Sequence, residues 1–198
     1  QELADELTQA GIPVEDVIPM DNGIKKIYTG KIVEITKHPD ADKLQVCQVE
    51  CLTEEGEPVT KQIVTAATNV AVGQIVPVAY HKSRLADGTE IKKGKLRGVA
   101  SEGMFCSVAE FGISSDLVLP EEAQGIYIFP ENTPIGLDVK DVLGMNDTVY
   151  EFELTANRAD CFSMVGLSRE FGMMTNQKAL FPVIMVNENG ESIEGKAS

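Results

Sequence analysis

Between His81 and Gly98 the chain places Lys82, Arg84, Lys92, Lys93, Lys95 and Arg97 against only Asp87 and Glu90. Six cations against two anions form a local positive segment in a 198-residue protein of formal net charge −14. Cations grouped on turns can neutralise phosphates, each contact releasing condensed counterions; a solvated lysine-rich turn explains the same run. A second candidate is His38-Pro-Asp-Ala-Asp-Lys43, where Pro and Asp set turn geometry. Lys43 there can reach a backbone phosphate and His38 a ribose or phosphate, although a plain hairpin turn fits equally. Further on, Lys95 to Ser107 mixes cationic, small and apolar residues. Gly98 and Gly103 can admit a ligand close to the backbone. Met104 and Phe105 can support a base, the competing reading being two core side chains.

Other chemistries lack their residues. Cys47 and Cys51 lie four apart on an expected strand, on one face but about 13 Å from each other at strand rise. With only His38 and His81 to add, a shared zinc is poorly served. No nucleophile elbow, phosphate loop or Gly-x-Gly-x-x-Gly run occurs, so no catalytic and no metal residues are expected and a hydrolase is a remote alternative. The acidic balance excludes a generically basic nucleic-acid binder, and no DNA partner is expected. The most apolar stretch, Val70 to Tyr80, is interrupted by Gln74 and Pro77 and is far short of the ~20 residues of a membrane span. Four cysteines are too few for a disulfide framework, which favours a reducing, cytoplasmic setting.

The elements that must carry these residues can be read in outline. Leu3, Leu7 and Ala10 give a short helix stopped by Gly11 and Pro13. The β-branched runs 27–37, 44–51, 62–66 and 75–80, with a weaker segment near 92–105, predict a small antiparallel barrel. Apolar residues in the second run shift from Leu44 and Val46 to Cys47, Val49 and Cys51, as a bulge or strong coiling would produce. Ser107 to Phe111 reads as a short helix ended by Gly112. From Glu110 to Asp160 eleven acids face only Lys140 and Arg158, so that stretch is not expected to touch phosphate. Tyr150, Phe152 and Leu154 alternate with glutamates as a half-buried strand. Asn157 imitates a capping box and opens a helix running towards Asn176, and Phe181 to Asn187 reads as one more strand. The chain begins at Gln1 with a helical pattern already under way, as a piece of a longer protein would.

Tyr28-Thr-Gly-Lys-Ile-Val-Glu-Ile-Thr-Lys-His38-Pro-Asp-Ala-Asp-Lys43-Leu-Gln-Val-Cys-Gln-Val49, Ala67-Thr-Asn69-Val and Lys95-Leu-Arg-Gly-Val-Ala-Ser-Glu-Gly-Met104 to Ser107 resemble the tRNA-binding OB-fold domain. The flanks, Leu3 to Val17 with Ala10-Gly-Ile-Pro-Val-Glu-Asp16, and Glu153-Leu-Thr-Ala-Asn-Arg-Ala-Asp-Cys-Phe-Ser-Met-Val-Gly-Leu-Ser-Arg-Glu170, are similar to those around that module in bacterial phenylalanyl-tRNA synthetase β subunits. Two departures are Ala156, where the family often has proline, and Ala67-Thr68, where the module often has Ala-Pro.

The resemblance implies a mixed α+β fold in which a five-stranded OB-fold barrel is inserted into a small discontinuous α/β domain. The domain would take residues 1–26 plus 147–198; the barrel and its acidic connecting segment would take 27–146. It further implies a non-catalytic N-terminal fragment of the β subunit with an accessory tRNA-binding surface. The implied partners are a phenylalanine-specific tRNA and an α subunit in an α2β2 assembly; ATP and magnesium belong to the parent enzyme and no cofactor to these residues. On that footing Lys43, Lys92, Lys95 and Arg97 are expected phosphate contacts, Ser101 and Ser107 hydrogen-bonding candidates and Met104 a base-side contact. Arg158 and Asp160 are assigned to capping and packing. The alternative is a structural spacer that packs against other subunits with little RNA contact.

Overall fold

In a computed structural model, which describes residues 2–120, 122–186, 190 and 194, the chain forms two compact units. One comprises Gln1–Ile18 with Tyr150–Ser198, the other Pro19–Val149. The fold is mixed α/β and its long strands pair antiparallel.

The larger unit is built on β2 (Lys25–Lys37), β3 (Gln45–Leu52), β4 (Pro58–Thr65) and β5 (Ile75–Arg84), whose β-branched and aromatic residues suit a pleated, half-buried surface. They lie in the order β4-β3-β2-β5, and β6 (Glu90–Ile91) extends the far side. The weak fifth run resolves into short pieces because Gly94, Gly98 and Gly103 interrupt it: β7 (Gly94–Leu96) and β8 (Val99–Ser101) form a separate hairpin, and β9 (Met104–Phe105) pairs with β5. No ladder joins β4 to β9 among the described residues. Instead, the Glu102 N–H donates to the Gln62 carbonyl at 2.8 Å, Gln62 Nε2 donates to the Ala100 carbonyl at 2.7 Å, and the Val64 N–H donates to Ser101 Oγ at 3.0 Å.

Strand β5 is buried along Ile75–Tyr80 because it serves two cores at period two. Val76, Val78 and Tyr80 face a cluster with Ile32, Cys47, Val49 and Ile63. Ile75 and Ala79 face the other way, against Phe111, Phe129, Val139 and Met145. The acidic segment after the hairpin therefore supplies the cover for the second face of the sheet. Thr29 locks that cover: its hydroxyl donates to the Pro134 carbonyl at 2.8 Å and accepts the Leu137 N–H at 3.0 Å.

The parity shift in the second run, read as a bulge or strong coiling, falls beside an irregularity in its partner strand. Register between β3 and β4 is continuous from Gln45↔Thr65 to Leu52↔Pro58, and the irregularity sits in β2 between Ile32 and Glu34. Gly30 permits β2 to coil there: a Cβ would lie 2.9 Å from Val49 and 3.0 Å from both Cys51 and Val78.

The smaller unit gathers α1 (Glu2–Gln9), β1 (Val14–Pro19), β10 (Thr148–Phe152) and α3 (Met164–Met174), the two strands pairing with each other. Helix α1 ends in a Schellman turn. Gly11, at φ +89°, donates its N–H to the Thr8 carbonyl, and the Ile12 N–H donates to Leu7, so Leu7 and Ile12 meet in the core with Cys161.

Two expectations are corrected here. The segment Ala156–Phe162 is 3-10 with a kink at Arg158, and the α-helix begins only at Met164, where Ser163 Oγ accepts the Gly166 N–H at 3.0 Å. A serine hydroxyl facing a free N–H satisfies the helix start better than Asn157, which lies inside the 3-10 segment. Residues 181–186 form no strand; Leu180 to Met185 are mostly exposed with no ladder partner. Asn187, the last residue of that expected strand, lies outside the described residues.

Candidate nucleic-acid interface

The β7–β8 hairpin is closed by Leu96 opposite Val99, with Arg97 at φ +48° and Gly98 at φ +89°. Two consecutive residues with positive φ make the type I′ turn whose twist suits a two-residue hairpin. Gly98 takes this conformation freely and Arg97 takes it at a cost. The glycine's expected role of admitting a ligand is thus replaced by turn geometry, and the guanidinium is carried at an exposed tip. Lys95 is exposed on β7, and Lys92, also exposed, stands 3.9 Å from Glu90. An exposed pair at that distance is weak and screened, leaving Lys92 available to another anion.

Lys43 is exposed in the loop that joins β2 and β3, and His38 ties this loop to the hairpin. The ring is buried, the Asp40 N–H donates to Nδ1 at 3.1 Å, and Nε2 stands 3.0 Å from the Leu96 carbonyl. Because Nδ1 accepts, the neutral ring holds its proton on Nε2 and donates it to Leu96. His38 is therefore spent on structure, and its expected contact with ribose or phosphate is corrected. The loop of Lys43 and the hairpin of Lys95 and Arg97 are held together by this one side chain.

Lys93 fixes the base of the hairpin. Its Nζ lies 3.0 Å from Glu102 Oε2, and its N–H donates to His81 Nδ1 at 3.3 Å. The hydrogen bond from Lys93 holds the Glu102 carboxyl below its ordinary range.

The other three expected contacts have partners within the protein. Ser101 is buried, its hydroxyl accepting from Val64 and donating to the Gly103 carbonyl at 2.9 Å. Both functions of the hydroxyl are used, so it braces the hairpin against β4. Ser107 donates its N–H to Glu110 Oε2 at 2.6 Å and its hydroxyl to the same oxygen, opening the 3-10 turn Ala109–Phe111 that Gly112 ends at φ +73°. Met104 opposes Ala79 on β5 and packs against the second core. Gly103 likewise approaches protein backbone: a Cβ there would overlap the Ala79 carbonyl oxygen.

Arg158, in the smaller unit, pairs with Glu170 at 2.9 Å and Asp160 at 3.4 Å. A cavity of about 570 Å³ also belongs to that unit; Leu3, Leu7, Phe152, Leu167 and Phe171 make it apolar, unlike a phosphate site. No group of three or more His, Cys, Asp or Glu side chains is placed to hold a metal among the described residues. No described helix is long and apolar enough to cross a membrane.

Sequence reasoning missed the anchoring role of His38 and the basic residues Lys26 and Lys61, which line a groove with Lys82 and Lys93. Lys61 falls on the inward row of β4 between Val59 and Ile63, and a lysine out of parity with an apolar row was the available signal.

The chain is 47% identical over 178 residues to the phenylalanine–tRNA ligase β subunit of Clostridium acetobutylicum, covering 90% of this chain and 22% of that protein. It is 44% identical over 197 residues to that of Moorella thermoacetica, covering 100% of this chain and 24% of that protein. For Staphylococcus epidermidis the identity is 47% over 192 residues, 97% of this chain and 24% of that protein. The chain thus spans about a quarter of the length of these curated relatives. The family model described as a putative tRNA binding domain matches residues 27–137, which hold β2 from Ile27 onward, β3 to β9, the anchored loop and the hairpin. With more than half of its length so matched, the chain belongs to the putative tRNA binding domain family.

Proposed function

We propose that the chain is a non-catalytic, tRNA-binding part of a phenylalanyl-tRNA synthetase β subunit, supporting attachment of phenylalanine to its tRNA. On this reading β4-β3-β2-β5-β9 is an OB-type barrel inserted into a discontinuous α/β domain. Lys43, Lys92, Lys95 and Arg97 meet tRNA phosphates, and the α subunit of an α2β2 assembly is a further partner. The parent enzyme works in the cytoplasm with ATP and magnesium. The described residues offer no cluster suited to that metal, so no step of the chemistry is routed through them.

The observation that carries the reading is the exposed cationic hairpin, pinned by His38 to the loop of Lys43 within the family-matched region. A net charge of −14 weakens long-range attraction, which at physiological salt is screened beyond about 8 Å, while leaving direct contacts. Binding of the 198-residue chain to phenylalanine tRNA at low and raised salt tests the reading. Affinity should fall with salt. Lys95→Glu with Arg97→Glu should lower both affinity and the log–log salt slope, by about 0.9 for each duplex phosphate that is no longer neutralised. A folded chain that binds no tRNA at low salt would instead act as a structural spacer.

A further inference from the structure

A groove of about 290 Å³ in the larger unit is lined by Lys26, Lys61, Lys82 and Lys93, with His81 and Tyr80, against a single carboxylate, Glu54. Its construction departs from the local pattern at three places. First, the β2–β5 register passes from Lys25↔Arg84 to Ile27↔Ala79, so Lys26 faces four residues, Tyr80 to Ser83. Second, Lys26 and Lys82 both take positive φ, +57° and +63°. Non-glycine residues rarely do so, and among the described ones the five are Asn22, Asn176, Lys26, Lys82 and Arg97. Asparagine tolerates the conformation; the other three are cations, two in this groove and one at the hairpin tip. Third, Lys61 sits on the inward row of β4 opposite Val49, where its neighbours pair with Cys51 and Cys47. Its ammonium stands 4.4 Å from the ring centre of Tyr80, whose hydroxyl is fixed by donation to the Leu52 carbonyl at 2.8 Å.

The ion pairing divides these cations. Lys26 lies 2.7 Å from Glu54, and Lys93 is held by Glu102. Neither Lys61 nor Lys82 has a carboxylate within ion-pair distance among the described residues. His81 accepts the Lys93 N–H on Nδ1, so the neutral ring carries its proton on Nε2 and has a donor to offer. Two ammonium groups outside any described ion pair, that of Lys82 carried by strained backbone and that of Lys61 acted on by Glu102 only at longer range, join an imidazole donor on the rim of a concave surface and match a tetrahedral anion.

We propose that this groove is a second phosphate subsite, holding a phosphodiester of bound RNA beside the stretch anchored by the hairpin, with Lys61 and Lys82 as its direct contacts. The inference rests on the reading of the chain as an RNA binder. Lys93 lines the groove and is two residues from Lys95, so one strand of RNA can continue from hairpin to groove.

The test is fluorescence anisotropy of the 198-residue chain with a labelled 12-nucleotide single-stranded RNA over a salt series. Lys82→Gln should weaken binding and lower the log–log salt slope by about 0.7, the value of one single-strand phosphate contact, while Lys82→Arg keeps the slope. Lys61→Gln should repeat the loss, and amide resonances of His81, Lys82 and Lys93 should shift on titration. Parental affinity and slope in both glutamine variants would overturn the groove alone, since hairpin binding would remain. Absence of binding of both this RNA and phenylalanine tRNA by the parent chain at low salt would overturn both readings, and absence with the short RNA alone would overturn the groove.

Discussion

His38 Nε2 donates to the carbonyl oxygen of Leu96 across 3.0 Å, joining two segments 58 residues apart in the chain. One segment is the β2–β3 loop bearing Lys43, the other the hairpin bearing Lys95 and Arg97. The imidazole is buried and its second nitrogen accepts from Asp40, so the ring bridges two backbones at once.

His38→Ala should therefore loosen the hairpin more than the sheet. Removing both bonds exposes or orphans the Leu96 carbonyl and the Asp40 N–H, at about 1–3 kcal/mol of local stability. Amide exchange should accelerate in β7, β8 and residues 38–43 and stay slow in β3 and β5. Uniform acceleration would mean that the ring supports the whole sheet.

Gly103→Ala is expected to cost about 1–3 kcal/mol, because its Cβ would overlap the Ala79 carbonyl oxygen on β5 and backbone must move. Gly98→Ala meets nothing within 4 Å, yet φ +89° there strains any side chain, so a smaller loss confined to the hairpin should follow. Urea midpoints of the two variants, measured side by side, check the order.

All four cysteines are buried and free. Burial alone pushes the Cys47 thiol up to about 11; burial is also the main cause that raises Cys51 and Cys106, the latter with help from the Glu110 charge. Only about one thiol in a thousand at Cys47 is ionised at pH 8, and that thiolate is shielded. An aromatic disulfide reagent should titrate these three thiols slowly in the native chain, and all four at once in denaturant. Rapid native labelling of Cys47 would contradict the packing of β3.

Stability should fall on acidification. Glu102 is held low by the hydrogen bond from Lys93, Asp160 by that from Arg158, and Asp87 by the N–H and hydroxyl of Thr89. A carboxyl depressed in the folded state stabilises fully above its unfolded value, near 4. That contribution disappears as pH drops through the folded value. The urea midpoint of Glu102→Gln relative to the parent should thus show a deficit at pH 6 that narrows below about pH 4. Comparing variant with parent cancels the change in the global charge of −14. A deficit independent of pH would remove the Lys93–Glu102 pair from the account.

Much of this arrangement is legible in local pattern. Period-two runs mark β2 to β5, and Leu3, Leu7, Gly11 and Pro13 mark α1 and its stop. Cations on turns identify Lys43, Lys92, Lys95 and Arg97 as surface charge. Three-residue strands such as β8 are too short for a period, so the burial of Ser101 cannot be read from its neighbours. Asn157 and Ser163 both satisfy a capping rule, and only the packing of Cys161 with Leu7 and Ile12 selects the later start. Lys61 looks like any edge-strand lysine until the register with Val49 turns it inward. His38 carries a local turn signal, while its partner is set by tertiary folding.

The pairing of β1 with β10 has a consequence for how the chain can be divided. Just beyond those strands the Met20 N–H donates to the Asp147 carbonyl at 3.0 Å, so the polypeptide departs and returns through one narrow doorway. A detour with touching ends behaves as a cassette: it can be exchanged, lengthened or lifted out without rethreading its host. Bridging Met20 to Asp147 with a residue or two makes that separation an accessible piece of protein engineering.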